Sequence, residues 1–508
     1  MPEPGPVRAR VVVVGSGFAG LGMAIRLKEA GIDDFVVLER AADLGGTWRD
    51  NSYPGCACDV PSHLYSFSFA LNPDWSRSFS PQAEIWSYLR RCAQRAGILD
   101  HMRFHHDVTS MRWNHTDQVW DLDTSGGRYR AEVVVSAVGA LSEPLVPRVT
   151  GLEKFEGTTF HSAAWDHDYD LTGKKVAVVG TGASSIQFVP QIQPEVDQLV
   201  LFQRTAPWVL PRRDRDFGAV EQLAYRRVPA LQRLARAGIY WGRELYVLGF
   251  TRKPRMMRMA QRASLRHLRR QVPDPELRVK LTPTYTMGCK RILLANDYYP
   301  ALTRPNVTVC AAGVAEVRSR SVVATDGTEH EVDAIIFGTG FHVTDFPAAR
   351  FIWGRDGVNL HDAWSDGMEG YLGTTVSGFP NLFFLVGPNT GLGHTSMVYV
   401  IESQVTYVLD ALRHMEERKV AAVEVRPDAQ ARFNDELRAR LHDTVWNTGG
   451  CRSWYLDRNG RNTTLWPGFT FEFRRRTRRF DADAYLLTGP ARLTRAESSE
   501  LVGTTSGT

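Results

Sequence analysis

The sequence predicts an α/β protein built from two Rossmann-like dinucleotide-binding domains, one inserted into the other. Two glycine-rich turns, at residues 15–20 and 180–185, each follow a short apolar run and precede a helical pattern. A single turn of this type is weak evidence, but two in strand–turn–helix context indicate that two dinucleotides are held at once. At 508 residues the chain is also too long for one hydrophobic core.

The first unit begins with the apolar strand at residues 11–14, as expected for a buried parallel strand. A second strand at residues 35–38 ends in Glu39, about 20 residues past the turn, where a carboxylate commonly binds ribose hydroxyls. Glycines in the turn allow a pyrophosphate to approach the backbone at a helix N-terminus. The candidate binding residues of this unit are Gly15, Gly17, Phe18, Ala19, Gly20, Glu39 and Arg40.

The second unit repeats the pattern with strands at residues 175–179 and 199–202. Its second strand ends in Gln203, Arg204 and Thr205 rather than in an acid. An arginine at this position suits a 2′-phosphate, which favours NADPH over NADH. The candidate binding residues of this unit are Gly180, Thr181, Gly182, Ala183, Ser184, Arg204 and Thr205.

Two further strand–glycine segments, at residues 133–139 and 334–341, indicate where the chain leaves the first domain and returns to it. Gly340 in the returning segment is a further candidate cofactor contact. We therefore expect a discontinuous first domain (1–145 and 333–490), an inserted second domain (146–332) with a helical insert (214–280), and a flexible tail (491–508).

The region from about 221 to 270 has a helical pattern with an apolar patch and a basic stretch. It predicts an amphipathic insert with a solvated arginine face, but a lid over a substrate cavity and a membrane-surface helix stay open as alternatives. The arginine-rich segment 474–479 is too short to indicate a nucleic-acid site, and we expect a solvated edge there.

The net charge of +5 is small for this length and argues against nucleic-acid binding as the main role. No run of 18 apolar residues and no leader before the first strand are evident, so we expect a cytoplasmic protein without a transmembrane segment. Cys56 and Cys58 have neither zinc-ribbon nor thioredoxin spacing, and no metal site is expected. We expect free thiols at all six cysteines: Cys56, Cys58, Cys92, Cys289, Cys310 and Cys451.

The segment Phe155-x-Gly157-x3-His161-x3-Trp165-Asp166 resembles the fingerprint of the type I Baeyer–Villiger monooxygenases, which are class B flavoprotein monooxygenases. The resemblance covers almost the whole chain, from residue 11 to about 473. It implies FAD in the first domain and NADPH in the second. It also implies that a ketone and O2 give an ester or lactone through a flavin C4a-peroxide.

Three shorter segments extend this resemblance. Gly46, Thr47 and Trp48 belong to a stretch that runs alongside the flavin in the family and leads to an active-site acid, here Asp59. In Lys290-Arg291, the family's lysine helps to hold the NADPH phosphate and its arginine stands over the flavin face. The remaining implied cofactor contacts are Tyr65 and Trp454, and the implied catalytic residues are Arg291 and Asp59.

The chain departs from the family pattern at two places. Residues 456–462 replace a glycine-rich run that many members carry after the tryptophan. The departure affects the loop near Trp454, which closes over the site in the family. Ser185 ends the second turn where glycine or alanine is common, and its small size should preserve helix–strand packing.

Each assignment has a plainer alternative. Arg291 could be a surface ion-pair residue, and Asp59 could cap a helix. We expect His161 to make a structural hydrogen bond and Trp165 to pack, rather than to act in catalysis. The loop around His394 should either contact FAD through its backbone N–H groups or simply begin a helix.

Three rival functions remain open from the sequence. A heteroatom oxygenase acting on sulfides or amines would not need Arg291. A flavin disulfide reductase would need a redox dithiol, for which Cys56-x-Cys58 has the wrong spacing. A dinucleotide-sensing protein would not turn over. We expect a monomer or weak oligomer with a small ketone substrate and no nucleic-acid partner.

Overall fold

The computed structural model describes residues 5–251 and 254–489. In these residues the strands are β1 (Val7–Val14), β2 (Phe35–Leu38), β3 (Met102–Arg103), β4 (Val108–Asn114), β5 (Val119–Thr124), β6 (Gly127–Ser136), β7 (Thr158–His161), β8 (Lys175–Val179), β9 (Gln198–Phe202), β10 (Val209–Leu210), β11 (Leu293–Leu294), β12 (Val307–Cys310), β13 (Val314–Val317), β14 (Ser321–Ala324), β15 (Glu329–Glu331), β16 (Ala334–Phe337), β17 (Ile352–Trp353), β18 (Leu382–Phe384), β19 (Ala422–Val425) and β20 (Tyr485–Thr488).

The α-helices of the same ranges are α1 (Phe18–Glu29), α2 (Thr47–Asp50), α3 (Gln82–Ala96), α4 (Ser185–Ile192), α5 (Ala219–Arg227), α6 (Pro229–Glu244), α7 (Val247–Thr251), α8 (Pro254–Gln271), α9 (Pro275–Lys280), α10 (Tyr298–Leu302), α11 (Leu360–Ala363), α12 (Met397–Arg418), α13 (Pro427–Leu441), α14 (Val445–Thr448) and α15 (Thr470–Arg476).

The first large sheet has the order β17-β4-β5-β6-β1-β2-β3, and β18 also pairs with β6. β1 lies between β2 and β6 and runs parallel to both. Its side chains alternate between two cores, with Val11 and Val13 on one face and Val12 and Val14 on the other. A strand that is buried on both faces needs an unbroken apolar run, which explains this segment's composition.

The second large sheet is entirely parallel, with the order β12-β9-β8-β16-β7. All of its strands lie between β6 and β17 in the chain, whereas β17 and β18 return to the first sheet. The predicted fold class, with one nucleotide-binding domain inserted in a discontinuous other, is therefore confirmed.

The predicted boundary at residues 332–333 needs a correction. β16, which we expected to open the returning part of the first domain, pairs with β8 and β7 in the second sheet. The chain leaves that sheet only after Phe337. An apolar strand followed by glycine predicts a strand of a nucleotide-binding fold. The pattern does not predict with which of the two sheets that strand pairs.

The two crossing segments run side by side. The backbone N–H of Leu145 donates to the carbonyl of Gly340 at 2.8 Å, and the N–H of His342 donates to that of Glu143 at 2.9 Å. Both connections between the domains thus form one hydrogen-bonded pair, as expected where each strand continues out of its own sheet.

Helices α5–α9 occupy residues 219–280, between the short paired strands β10 and β11. They fall within the region where the sequence predicted a helical insert. None of the helices in the described ranges is long and apolar enough to cross a membrane. The predicted tail, 491–508, lies outside the described residues.

Candidate active site between the two nucleotide folds

The first glycine turn joins β1 to α1 and is shaped by steric demand. Gly15 has φ +99°, and a Cβ there would lie 2.8 Å from the carbonyl oxygen of Ala137. A Cβ on Gly20 would lie 1.8 Å from the carbonyl oxygen of Gly15. A Cβ on Gly17, in contrast, would meet only the Cα of Gly46, at 3.8 Å, and Gly17 precedes α1 without a side-chain cap. The first N–H groups of α1 are therefore left for an anion.

Phe18 and Ala19 follow this turn, but their side chains are buried. The ring of Phe18 packs edge-on against Tyr65, at 5.0 Å between centroids. Any contact of these two predicted residues with a dinucleotide is thus made by the backbone.

Glu39 lies at the end of β2, next to the first turn, and is 4% exposed. Its carboxylate accepts from the Ser16 N–H at 3.1 Å and the Ser16 hydroxyl at 2.6 Å. The Ala41 N–H at 3.0 Å and the Arg49 guanidinium at 3.0 Å complete its contacts. Arg40 points away and pairs with Glu143 at 2.5 Å. The predicted ribose carboxylate is therefore beside the turn, whereas Arg40 joins a crossing segment.

The segment at Gly46 packs directly on the first turn. Gly46 has φ +52°, and a Cβ there would lie 3.0 Å from the Cα of Gly17. Thr47 and Trp48 begin the short helix α2. The indole N–H of Trp48 donates to the hydroxyl of Tyr65 at 3.0 Å. Four predicted cofactor residues therefore form one contiguous wall beside the turn.

The second turn joins β8 to α4. Gly180 has φ +108°, and a Cβ there would lie 2.4 Å from the carbonyl oxygen of Gly338. Gly182 and Ala183 are exposed. The hydroxyl of Thr181 donates to the carbonyl of Thr205 at 3.3 Å, which links the turn to the residues after β9.

Ser184 precedes α4, and Ser185 begins it. Ser185 is buried against Gly338, where a Cβ would lie 2.0 Å from the serine hydroxyl. The close packing expected for a small residue at this position is present.

Arg204 and Lys290 bring two cations near the second turn. Burial, and then the charge of Arg204, lower the pKa of Lys290. Neither side chain forms an ion pair within the residues that the structure describes. Two neighbouring cations without a protein carboxylate suit a phosphate group.

Arg291 and Asp59 form a two-pronged ion pair. The guanidinium Nε donates to Asp59 Oδ2 and Nη2 donates to Oδ1, both at 2.6 Å. Their side chains are 32% and 26% exposed, so the pair borders open space without being a surface pair. The Asp59 carboxylate holds the pKa of Arg291 above its ordinary range. Burial acts to raise the pKa of Asp59, but the Arg291 charge outweighs it and the pKa is lowered.

Both plainer alternatives for this pair are wrong. No helix begins at Asp59, which rules out a capping role. Arg291 is two-thirds buried and is not a surface ion-pair residue. A fixed, permanently charged guanidinium therefore stands at the predicted catalytic position.

Arg243 of α6 is a site residue that the sequence did not reveal. Its guanidinium donates to the carbonyl oxygen of Asp59 at 3.4 Å and to that of His394 at 3.3 Å. Burial lowers its pKa, and the Asp59 charge opposes that shift. The helical insert thus reaches the site itself. In the sequence, the apolar patch of the insert was the feature that predicted a packed face.

The next residue, Glu244, is also buried in this region. Its Oε1 lies 3.2 Å from His394 Nε2 and accepts from the Thr470 hydroxyl at 2.6 Å. Its Oε2 accepts from the Thr470 N–H at 2.9 Å. The His394 imidazole is thus turned toward Glu244, which leaves backbone groups as the way this loop would contact a cofactor, as expected.

His161 ends β7 and belongs to the second sheet. Its Nδ1 accepts from the Ala163 N–H at 3.1 Å, which is a local structural bond. Trp165 packs against Phe160 and Phe188. Neither side chain contacts the Arg291–Asp59 pair, in keeping with the structural roles expected for them.

Trp454 is 44% exposed, and its ring lies 4.4 Å from that of the buried Tyr455. Burial raises the pKa of Tyr455 to about 12, and Arg291 opposes the shift, so the tyrosine lies near the ion pair. The segment with Trp454 therefore borders the site from the C-terminal part of the chain.

A disulfide between Cys289 and Cys451 ties this segment to the residue before Lys290. The expectation of six free thiols is wrong for this pair. Cys56, Cys58, Cys92 and Cys310 are free and buried. The two bonded cysteines are 162 residues apart, and their spacing gave no sign of their proximity.

Comparisons with known proteins place the chain in a family. The family described as "Flavin-binding monooxygenase-like" matches residues 8–237. A "Baeyer-Villiger monooxygenase" of Pseudomonas aeruginosa is 53% identical over 96% of this chain and 93% of the relative. One of Streptomyces coelicolor is 54% identical over 95% of this chain and 93% of the relative.

Solved structures agree with this placement. The closed crystal structure of cyclohexanone monooxygenase has a TM-score of 0.86 and 28% identity, covering 96% of this chain and 100% of its own. Cyclohexanone monooxygenase from Rhodococcus sp. Phi1 bound to NADP+ has a TM-score of 0.83 and 29% identity, with the same coverage. With its two nucleotide folds and the Arg291–Asp59 pair between them, the chain belongs to the Baeyer–Villiger monooxygenase family of flavoprotein monooxygenases.

Proposed function

We propose that this FAD- and NADPH-dependent Baeyer–Villiger monooxygenase oxidises a ketone, and that Arg291, held by Asp59, is its catalytic cation. The observation that carries the proposal is the pair of 2.6 Å hydrogen bonds that fixes the Arg291 guanidinium between the two nucleotide folds. The overall reaction inserts one oxygen atom of O2 between the carbonyl carbon and a neighbouring carbon to give an ester or lactone, while the two electrons of NADPH reduce the other oxygen atom to water.

The first nucleotide fold fits FAD. The side-chain-free backbone at Gly17 and the uncapped start of α1 suit the pyrophosphate. Glu39 suits the ribose, although its four acceptor positions are filled by protein donors. Of these donors, the Ser16 hydroxyl is the one that can rotate away, so we infer that ribose hydroxyls take its place.

The second nucleotide fold fits NADPH. Exposed Gly182 and Ala183 leave the start of α4 accessible to the pyrophosphate. Arg204, Thr205 and Lys290 would hold the 2′-phosphate, and the pKa of Lys290 is lowered first by burial and then by the charge of Arg204. Trp454 would cover the nicotinamide dinucleotide from the C-terminal segment.

When bound and reduced by NADPH, FAD supplies the activated oxygen. Arg291 then stabilises the negative charge that develops on oxygen as the ketone carbonyl is attacked. A guanidinium suits this role because it cannot give up its proton under the conditions of the reaction. Asp59 fixes the orientation of the guanidinium and leaves its Nη1 free to face the reacting atoms, since Nε and Nη2 are engaged.

Arg243 adds a second positive charge near Asp59 and ties it to the loop of His394. Because its side-chain hydrogen bonds in the described part of the chain go to backbone carbonyls, we assign this arginine a positioning role. The cytoplasmic location and the monomeric or weakly associated state stay predictions.

The test is steady-state turnover of the FAD-loaded enzyme with a panel of cyclic and linear ketones. NADPH oxidation that rises with the ketone, together with one ester or lactone formed per NADPH, supports the proposal. NADPH oxidation that only produces hydrogen peroxide with every ketone, while sulfides are converted to sulfoxides, would replace it with heteroatom oxygenation.

A further inference from the structure

Helix α6 exposes an apolar stripe that the fold does not use. Leu231, Leu234 and Trp241 of α6, together with its C-cap Leu245, recur at intervals of three, seven and four residues, which places them on one face. They are 46%, 70%, 56% and 57% exposed. A surface helix normally turns a polar face outward, so a continuous exposed stripe indicates a binding surface.

The inner face of the same helix is already packed. Gln232, Tyr240 and Glu244 are buried against the rest of the protein. Tyr240 stacks on Tyr399 of α12, at 4.8 Å between ring centroids. The core contacts of α6 are thus made on the side opposite the outer stripe. The exposed apolar residues of the stripe are therefore not needed for packing α6 against the core.

Two aromatic side chains widen the stripe. Phe471 of α15 is 42% exposed and lies 5.9 Å from the ring of Trp241. Tyr246, just after α6, is 57% exposed. Tryptophan and tyrosine are favoured where an apolar medium meets water, because their rings are apolar and carry one polar group.

Arginines border this apolar surface. Residues 474–479 contain five arginines and no acid. Arg474 and Arg475 follow Phe471 by three and four residues in α15, which places them next to Phe471 on one face of that helix. Arg475, Arg478 and Arg479 are exposed and form no ion pair within residues 5–251 and 254–489.

Helix α8 of the same insert is also basic. It contains six arginines and no acidic residue. Apolar and aromatic side chains next to unpaired arginines are the features of a protein surface that lies on an anionic bilayer.

We propose that the outer face of α6, with Phe471 and the exposed arginines 474, 475, 478 and 479, docks on the surface of an anionic lipid bilayer. Leucine and aromatic side chains enter the headgroup region, and the arginines contact lipid phosphates. A second copy of the chain fits less well, because a two-fold contact would bring the same arginines of both copies together.

The docking places the bilayer beside the site, since the inner face of α6 carries Arg243 and Glu244. An apolar ketone dissolved in the bilayer would then reach the enzyme without crossing water. This consequence rests on the proposed function, whereas the docking itself does not.

The experiment is vesicle co-sedimentation of the FAD-loaded full-length enzyme. Phosphatidylcholine vesicles are compared with vesicles containing about 30% phosphatidylglycerol at about 0.1 M salt, where arginine–lipid attraction is still effective. We expect binding to the anionic vesicles that weakens at higher salt and little binding to the neutral ones.

Variants separate the two parts of the surface. Leu234→Gln with Leu245→Gln, and separately Arg475→Gln with Arg478→Gln, should each weaken vesicle binding by about tenfold or more. The matched controls are Phe351→Gln and Arg320→Gln, both exposed positions elsewhere. Flavin content and melting temperature check that each variant is folded, and all four side chains exchanged in α6 and at 475–478 are exposed.

Three results would overturn the proposal. The first is no binding to anionic vesicles by the folded enzyme. The second is binding that the controls weaken as much as the test variants do. The third is a dimer in sedimentation velocity that Leu234→Gln with Leu245→Gln abolishes, which would assign the face to a second copy. Because none of these readouts uses a ketone, failure of the proposed function would not be mistaken for failure of the docking.

Discussion

Arg291 and Asp59 are 232 residues apart in the chain, yet the Arg291 guanidinium binds both carboxylate oxygens of Asp59 at 2.6 Å. Asp59 comes from the segment after α2 and Arg291 from the segment before β11. The two halves of the pair therefore meet only when the second domain and its insert are docked on the first. Formation of the Arg291–Asp59 pair therefore depends on the arrangement of the two domains.

Replacing Asp59 by alanine should lower kcat for ketone oxygenation by about tenfold to a hundredfold with a smaller change in KM, because the orientation of the guanidinium is lost. The measurement is steady-state kinetics with product analysis. Asp59→Asn is the matched variant, since it keeps one acceptor for Arg291 and should retain more activity than Asp59→Ala. Equal activity of both variants and the unchanged enzyme would contradict a positioning role.

Replacing Glu244 by alanine should lower the free energy of unfolding by about 2–4 kcal/mol, because the Thr470 N–H, the Thr470 hydroxyl and His394 all lose a buried partner. Chemical denaturation measures the change. The exposed Glu417 provides the control, and Glu417→Ala should change stability by less than about 0.5 kcal/mol. A loss of similar size in both variants would show that the buried contacts of Glu244 contribute little.

The disulfide between Cys289 and Cys451 makes thiol counting decisive. The denatured, unreduced protein should show four reactive thiols, and the reduced protein should show six. Exchange of both bonded cysteines for serine should lower stability by roughly 2–5 kcal/mol, because the bond restricts the unfolded chain. Exchange of the free, buried Cys92 serves as the control for losing a thiol. Six thiols before reduction would show that the bond is absent.

Stability should fall as the pH drops from about 6.5 to about 4, in part because of His63. Burial lowers the pKa of His63 to about 4, whereas the unfolded chain takes up the proton near 6.5. Between these values only the unfolded state is protonated, so stability is full above 6.5 and is lost progressively below it. The total effect is on the order of 3 kcal/mol.

The variant His63→Gln should flatten this pH dependence, even if it is less stable at neutral pH. Denaturation midpoints at about pH 4, 5, 6.5 and 7.5 measure the slope, and the first three values cover the roughly 2.5-unit window between the two pKa values. The exposed His115, replaced in the same way, should leave the slope unchanged. An identical slope in His63→Gln would assign the acid sensitivity to other groups.

Features governed by local geometry could be predicted from the sequence. Gly15 and Gly180 have positive φ and closely approach a neighbouring carbonyl, so only glycine fits there. The two turns can therefore be recognised in the sequence by the spacing of their glycines. Ser185 was expected to preserve close packing, and its contact with Gly338 shows why a small residue suffices. Arg291 and Asp59 were assigned from family resemblance, and the structure brings them together.

Features governed by distant packing could not be predicted. Arg243 and Glu244 enter the site only because α6 lies against the loop of His394, and nothing in the helical pattern of the insert specifies that neighbour. The pairing of Cys289 with Cys451 depends in the same way on proximity between segments that are remote in sequence. The pattern of β16 predicted a strand, but the sheet that accepts it depends on the strands around it.

The most direct test of the central claim is to compare ketone oxygenation with sulfoxidation in Arg291→Ala, with Arg320→Gln as the control for loss of an arginine elsewhere. The account predicts that ketone oxygenation falls by about 10²–10³ in rate, since a preorganised charge at the developing oxyanion is lost. Sulfoxidation, which needs no such charge, should change far less. Loss of both activities to the same extent in a variant that still binds FAD and NADPH would contradict the assignment of Arg291 to the ketone-specific step.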